Sequence, residues 1–363
     1  MKYTFAIDWL SLWCRCLDGT FCTEQLEDGV NRLCDWKYKK HERGTRQFHN
    51  LYDVKLGKEI IAVVASEEVN NTIGEHVCLV KFDNRLLYSS NLWDIVDTFL
   101  YDHNLAVLNI TRLDLAADFN CFANGYEPPQ FIADFASKKI RHKGRGNGDL
   151  HFTHFSKPDK AGFSVAQLIY TGLSFGSHDS DARAYMYNKT FELKTIKDKP
   201  YIRQLWIRGG LDITRDVWRL EISIKSKGMR FRDKETGDKI RIKETTCKDS
   251  AELLKIYHSF VRKYFFFLNN RPFITNISRE PMIPLFGDSP YYDHGVIRDL
   301  SCSNRTERIL IKQLWQLAEK YRGDGMHQDE GITRTMAYDL AKGCDLEGWL
   351  MKKQSSWETP DRK

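Results

Sequence analysis

Two phenols and two cations alternate along one short stretch of this chain: Arg183, Tyr185, Tyr187 and Lys189, with Glu192 following. The period of a strand puts all four on a common face. A phenol has a pKa of about 10, so a tyrosine attacks at neutral pH only if a base takes its proton or nearby positive charge stabilises the phenolate. Lys189 can supply that charge. Tyrosines are also ordinary half-buried strand residues, so a structural role stays open for Tyr185 and Tyr187, as does the choice between them. Just upstream, Gly172 and Gly176 permit close approaches or unusual backbone angles, and residues 177–181 read as a polar turn.

Two further stretches carry acids on strand faces. In Ile110 to Phe119, Leu113, Leu115, Ala117 and Phe119 share one face, while Arg112, Asp114, Ala116 and Asp118 line the other. Val217 to Lys225 repeats the arrangement, with Trp218, Leu220, Ile222 and Ile224 inward and Arg219, Glu221, Ser223 and Lys225 opposite. If the two strands are neighbours, Asp114, Asp118 and Glu221 can converge on a hard divalent cation, Mg2+ or Mn2+, because such ions prefer oxygen ligands. Arg112 and Arg219 would then stabilise the carboxylates or clamp a phosphate. Alternating charges of opposite sign are equally what a solvated sheet face carries, and the pattern alone leaves both readings open. His151 and His154, three apart, would face opposite sides of a strand and are read as incidental.

Taken in order, five pieces resemble the replication initiation factor family of rolling-circle plasmid initiators, related conjugative relaxases and some filamentous-phage replication proteins. They are Ile7-Asp8-Trp9-Leu10-Ser11; Thr111-Arg112-Leu113-Asp114-Leu115-Ala116 with Asp118; Gly176-Ser177-His178-Asp179-Ser180; Tyr187-Asn188-Lys189 with Glu192; and Arg219-Leu220-Glu221. His178 departs from the pattern, since relatives often carry arginine there. The resemblance implies a fold similar to the HUH nucleases, an antiparallel sheet that carries a metal and an attacking tyrosine, with carboxylates in place of the histidine pair. It also implies a homodimer.

The implied activity is site- and strand-specific DNA nicking and closing. Tyr187, or Tyr185 in its place, attacks a phosphodiester, the 3′-hydroxyl leaves, and a 5′-phosphotyrosyl link stores the bond energy for resealing. Arg112, Arg219 and Lys189 would add electrostatic stabilisation around the metal-held phosphate. A conjugative relaxase using the same chemistry, or a non-catalytic DNA-binding regulator on the same fold, are the alternatives. The partner is origin DNA, single-stranded or as supercoiled duplex. No GxxxxGKS-type phosphate loop is present, so strand opening is expected from a host helicase or from supercoiling.

DNA needs somewhere to lie, and two basic segments offer it. Residues 138–148 include Lys139, Arg141, Lys143 and Arg145 among several glycines, a composition that can wrap a backbone or form a flexible solvated loop. Residues 225–243 place Arg230 and Arg232, then Arg241 and Lys243, on either side of a Glu235-Thr236-Gly237-Asp238 turn. Such a hairpin can enter a groove or track a backbone, although lysines and arginines also protect sheet edges. The run Tyr264-Phe265-Phe266-Phe267 reads as helix core, and Trp315 and Trp349 as packing residues.

The elements that must position these groups follow from periodicity. Strands are expected over Tyr3 to Trp13, Ile60 to Ser66, His76 to Phe82, Leu108 to Phe119, Gly162 to Thr171, Arg183 to Lys189, Tyr201 to Ile207 and Val217 to Lys225. Helices are expected over Leu92 to His103, capped by Asn91, and over Phe131 to Ile140 after Pro128 and Pro129. From Asp249 onward the spacing is helical, over Asp249 to Leu268, Arg305 to Tyr321 and Thr333 to Met351, with a long connection between the first two. This is an α+β chain: an antiparallel-sheet catalytic region over 1–248 with flanking helices, then a mainly helical remainder, 249–363.

The 363 residues, 42% of them hydrophobic, suffice for two lobes. No apolar run of about eighteen residues exists, and Asp8 interrupts the first apolar stretch, so no membrane span or secretory signal is expected. Nine cysteines without a CxxC pair fit a reducing compartment, the cytoplasm. A net charge of +6 is modest, so only its local concentration bears on DNA.

Overall fold

Alternating apolar residues that must leave water favour a sheet buried on one face, and the chain builds a large one. The computed structural model describes residues 1–19, 21, 33–70, 76–143, 148–158, 164–177, 180–233, 239–269, 282–287, 296–298, 305–344, 346–354 and 357. Arg145 and His178 lie outside them.

The strands are β1 (Thr4–Cys16), β2 (Trp36–Lys40), β3 (Phe48–Leu56), β4 (Glu59–Glu68), β5 (Val77–Phe82), β6 (Leu105–Phe119), β7 (Ile140–His142), β8 (Asp149–Pro158), β9 (Ser164–Phe175), β10 (Ala182–Asn188) and β11 (Trp218–Lys225). All but β7 form one antiparallel sheet of ten strands in the order β2-β3-β4-β5-β1-β6-β11-β10-β9-β8. The two acid-bearing strands β6 and β11 are direct neighbours, and β10 with its tyrosines follows β11.

The inner face of the sheet carries Leu113, Leu115, Leu220, Ile222, Leu173 and Met186, all fully buried. Helices α2 (Leu92–Asp102), α3 (Pro128–Ala136) and α7 (Ser250–Tyr264) cover it. Phe99 of α2 meets Phe82, Phe135 of α3 meets Phe175, and Tyr257 of α7 meets Phe5 and donates to the Leu220 carbonyl. On the opposite face lie α1 (Asn84–Leu87), α4 (Lys189–Thr195) and α5 (Pro200–Arg208), close to the polar side chains. A short α6 (Glu244–Lys248) precedes α7. Asp249 caps α7 by accepting from the amides of Ala251 and Glu252.

Two expectations change, and that of the basic hairpin holds. Tyr201 to Ile207 is helical: Pro200 opens α5, and Ile202 and Trp206, four apart, form its buried stripe. The alternation that reads as a strand is there, but helical spacing decides because it aligns the two residues that the core takes. The helix expected over Phe131 to Ile140 ends at Ala136. Lys138 then takes a positive φ of 59°, and β7 pairs with β14 (Phe267–Asn269). The basic hairpin forms as β12 (Arg230–Asp233) and β13 (Lys239–Arg241).

The described chain divides into two compact units, Met1–Ile297 and Arg298–Lys363. This differs from a division at 248 because α7 packs its apolar stripe beneath the sheet. The second unit has α8 (Arg305–Gly323), α9 (His327–Gly343) and α10 (Glu347–Lys353) around Ile311, Trp315, Ala337, Ala341, Leu346 and Leu350. The helical spacing expected over Thr333 to Met351 is thus shared by two helices, α9 ending at Gly343 and α10 beginning at Glu347. Among the described residues no helix is long and apolar enough to cross a membrane.

Candidate active site

Register sets out the polar face as rows across the strands, since partners directly opposite share a face. One row holds Asp118 on β6, Arg219 on β11 and Tyr187 on β10; the next, Ala116, Glu221 and Tyr185; the third, Asp114, Ser223 and Arg183; the fourth, Arg112 and Lys225. On β1 the pairing slips between Ile7, opposite Leu115, and Trp9, opposite Asp114. Asp8 is the extra residue of that bulge, and bulges re-aim side chains. Here Asp8 follows Thr4 and Ala6 on the polar face, and the bulge brings Trp9 onto that face beside it.

Arg219 is wholly buried and binds these rows together. Its Nε and Nη2 donate to the two oxygens of Asp118 at 2.6 and 2.8 Å, Nη1 donates to Asp8 at 2.6 Å, and Nη2 also donates to the Tyr88 hydroxyl at 2.9 Å. Trp206 of α5 donates its indole N–H to Asp118 at 2.7 Å. Burial acts to raise the Asp8 pKa, but the Arg219 and Lys189 charges and hydrogen bonds from Tyr88 and Asn84 outweigh it and hold the carboxyl well below the usual range. Arg219 and Asp118 satisfy one another, so neither keeps a free edge for a phosphate or a metal.

Beside this hub the Tyr187 hydroxyl donates to Oε2 of Glu221 at 3.0 Å. Burial, then the Asp8 and Asp114 charges, push Glu221 up to about 7. Burial and the Glu221 charge also push the Tyr187 phenol well above its ordinary value. Lys189 Nζ lies 3.4 Å from the phenol oxygen and pairs with Glu192. Burial and the Arg219 charge pull Lys189 below the ordinary lysine value.

Local structure explains the Tyr187-Asn188-Lys189-x-x-Glu192 spacing. Tyr187 ends the strand, Asn188 caps α4 by accepting from the Phe191 amide at 2.8 Å, and Lys189 and Glu192 share the first turn. Gly172 lies opposite Tyr187, where a Cβ would come within 2.6 Å of the Met186 carbonyl oxygen. A side chain there would push β9 away from the tyrosine.

The rolling-circle replication initiator protein from Geobacillus stearothermophilus is similar in structure, at 16% identity and a TM-score of 0.42 over 77% of this chain and 92% of that one. No protein-family model matches the chain, and no curated protein matches it. What the site can do therefore follows from its own side chains.

Tyr185 stands opposite Glu221, with the Arg183 guanidinium carbon 4.4 Å from its ring centre. Asp114 accepts from Arg112 at both oxygens, Nε to Oδ1 at 2.9 Å and Nη2 to Oδ2 at 2.5 Å, with Ser223 as a further hydrogen-bond partner. Of the three carboxylates expected to share a metal, Asp118 is consumed by Arg219 and Trp206. Among the described residues no group of three acids, histidines or cysteines is arranged to hold one. The donor set does not fit a divalent ion, since Arg112 takes both oxygens of Asp114 in the same way and Glu221 accepts from Tyr187. Asp8 was legible as a motif residue but not as the acid that holds Arg219. The signal is a phase break, in which the buried residues run Ile7, then Leu10 and Leu12.

The basic segments stand apart from the tyrosine network. Lys139 pairs with Asp134 at 3.1 Å, Lys143 lies 4.7 Å over the Phe266 ring, and Arg141 has buried Nε and Nη2 atoms without a hydrogen-bond partner. In the hairpin Arg230 is opposite Arg241, so like charges meet there, and Arg232 is in register with Lys239, while Lys243 is exposed at the start of α6. His151, read as incidental, stands opposite Gly172, which stands opposite Tyr187, so it shares the tyrosine's row; its ring meets Ser174 at 2.9 Å. The helix expected to run to Leu268 ends at Tyr264, so Phe265 and Phe267 are buried core residues but not helical ones; Trp315 is buried too, and Trp349 packs on Trp357.

Proposed function

We propose that this chain nicks and rejoins a DNA strand through Tyr187, as an initiator of rolling-circle replication. The observation that carries the reading is the Tyr187 O–H donated to Glu221, a carboxylate poised near neutrality, with Lys189 at the same oxygen. A base with pKa near the working pH is both deprotonated and strong enough to accept a proton in the transition state. The order of the sequence motifs supports DNA as the substrate and replication as the setting.

Glu221 accepts the phenol proton as Tyr187 Oη attacks the phosphorus. The new bond is P–Oη, the broken one is P–O3′, and the leaving 3′-oxygen takes a proton from water. Lys189 stabilises the negative charge on the phenol oxygen, and Arg112, which is 40% exposed at the edge of the site, offers charge to the phosphate. Another 3′-hydroxyl reverses the step and reseals the strand. Arg219 acts as a positioning residue.

The test is a denaturing gel with 3′-labelled single strands covering candidate origin sequences. A covalent adduct is expected that is lost in Tyr187→Phe and retained in Tyr185→Phe. Loss in Tyr185→Phe alone would reverse the assignment of the nucleophile, and no adduct on any strand or on supercoiled plasmid would sink the reading.

A further inference from the structure

Lys81 is a cation on the carboxylate face that the network just described does not use. It stands opposite Ser11, which stands opposite Arg112, which stands opposite Lys225, so one row across β5, β1, β6 and β11 carries three cations. At strand spacings of 4.7–4.9 Å that row is about 14 Å long. Lys81 Nζ lies 3.8 Å from the centre of the Trp9 indole, and the Arg112 guanidinium carbon lies 4.2 Å from the same centre. The indole is itself anchored by its N–H to the Ser11 hydroxyl at 3.3 Å.

Holding two cations against one ring costs electrostatic energy that the π face returns only in part. Arg112 has Asp114 as its counter-charge, but among the described residues no carboxylate lies within ion-pair reach of Lys81. Partial burial, Arg112 and Lys199 pull its pKa below the ordinary lysine value, and Asp83 works the other way. Lys199 is engaged with Asn84 at 3.0 Å. An anion lying along this row would gain a charge-assisted bond from Lys81 without breaking any existing pair. A row of cations suits an extended polyanion better than a single small ion.

We propose that Lys81, held by Trp9 and Arg112, grips a backbone phosphate of the bound DNA strand on the flank of the scissile one; this rests on the nicking reading above. The phosphate is not the one attacked, because Lys81 stands on β5, with β1, β6 and β11 between it and Tyr187 on β10. The ammonium binds as a point charge, so it sets the strand's register without reading bases.

The experiment uses the full chain carrying Tyr187→Phe, so that binding is read without cleavage, and a fluorescent single strand of the sequence that the wild type nicks. Lys81→Gln is expected to weaken binding about five- to tenfold at low salt and to flatten the salt slope by about 0.7, the value for one single-strand phosphate contact. Lys81→Arg should restore most of both, which separates charge from folding. Methylphosphonates are then placed one at a time. A single position beside the nick should weaken the Lys81 protein and leave Lys81→Gln unaffected. Equal affinity and slope in the two proteins, or every methylphosphonate weakening both alike, overturns the proposal while nicking itself stands. Failure of the wild type to form an adduct removes the wider reading and this one with it.

Discussion

In the proposed reaction Glu221 is the residue on which the chemistry turns. Its pKa of about 7 means that the base form grows as pH rises, so single-turnover nicking should climb through neutrality and level off above it. Glu221→Gln should cut the rate by roughly 10²- to 10⁴-fold and abolish that rise, as measured by adduct formation from pH 5.5 to 8.5. The same shift bears on stability. A glutamate whose folded pKa exceeds its unfolded value near 4.5 favours the fold below 4.5, and that contribution is lost as pH rises through about 7. Glu221→Gln should therefore gain melting temperature relative to wild type at pH 8 more than at pH 4.5, and equal shifts at both would contradict the burial argument. Tyr187 and Glu221 were both legible as residues; the hydrogen bond between them was not, because it depends on β10 lying beside β11.

At the scale of elements, α5 and the basic hairpin differ in how far the sequence disclosed them. The hairpin followed from a turn between two alternating segments. Its like charges lie directly opposite, Arg230 on Arg241, an arrangement that costs stability unless an anion lies over it. Arg230→Ala with Arg241→Ala should lower the salt slope of DNA binding by about 1.4, with less effect on cleavage once DNA saturates the protein. An unchanged slope would leave the hairpin as a protected edge. Helix α5 was misread because Tyr201 to Ile207 satisfies both periods, and only the burial of Ile202 and Trp206 together selects the helix. Trp206 then reaches Asp118, so a local choice of period decides what covers one end of the site.

Over the whole molecule, Arg219 and Asp8 are 211 residues apart and Arg219 and Asp118 are 101 apart, so one buried cation joins β1, β6 and β11. Removing it leaves two carboxylates without their partner. Arg219→Met should cost roughly 3–5 kcal/mol, read by urea unfolding of the chain. A loss below about 1 kcal/mol would mean that the acids had taken up protons or water cheaply. The second unit has its own core, and Trp315→Ala should destabilise it by roughly 3–5 kcal/mol. Limited proteolysis is expected to cut within 298–363 first and to spare the sheet; equal cutting in both units would show that they unfold together.

By itself the sequence determined the alternating faces of β6, β10 and β11, the candidate tyrosines and the α+β class, because a two-residue period and binary patterning are local properties. Tertiary structure alone decided which acid does what. Asp118 and Asp114 look alike on their strand, yet the pairing of β6 with β11 gives Asp118 to Arg219 and leaves Asp114 to Arg112. Glu221 acquires its basicity from burial and from Asp8, a residue 213 positions away in the chain. Proton affinity is set by what surrounds a group in three dimensions, and no spacing along the chain encodes it.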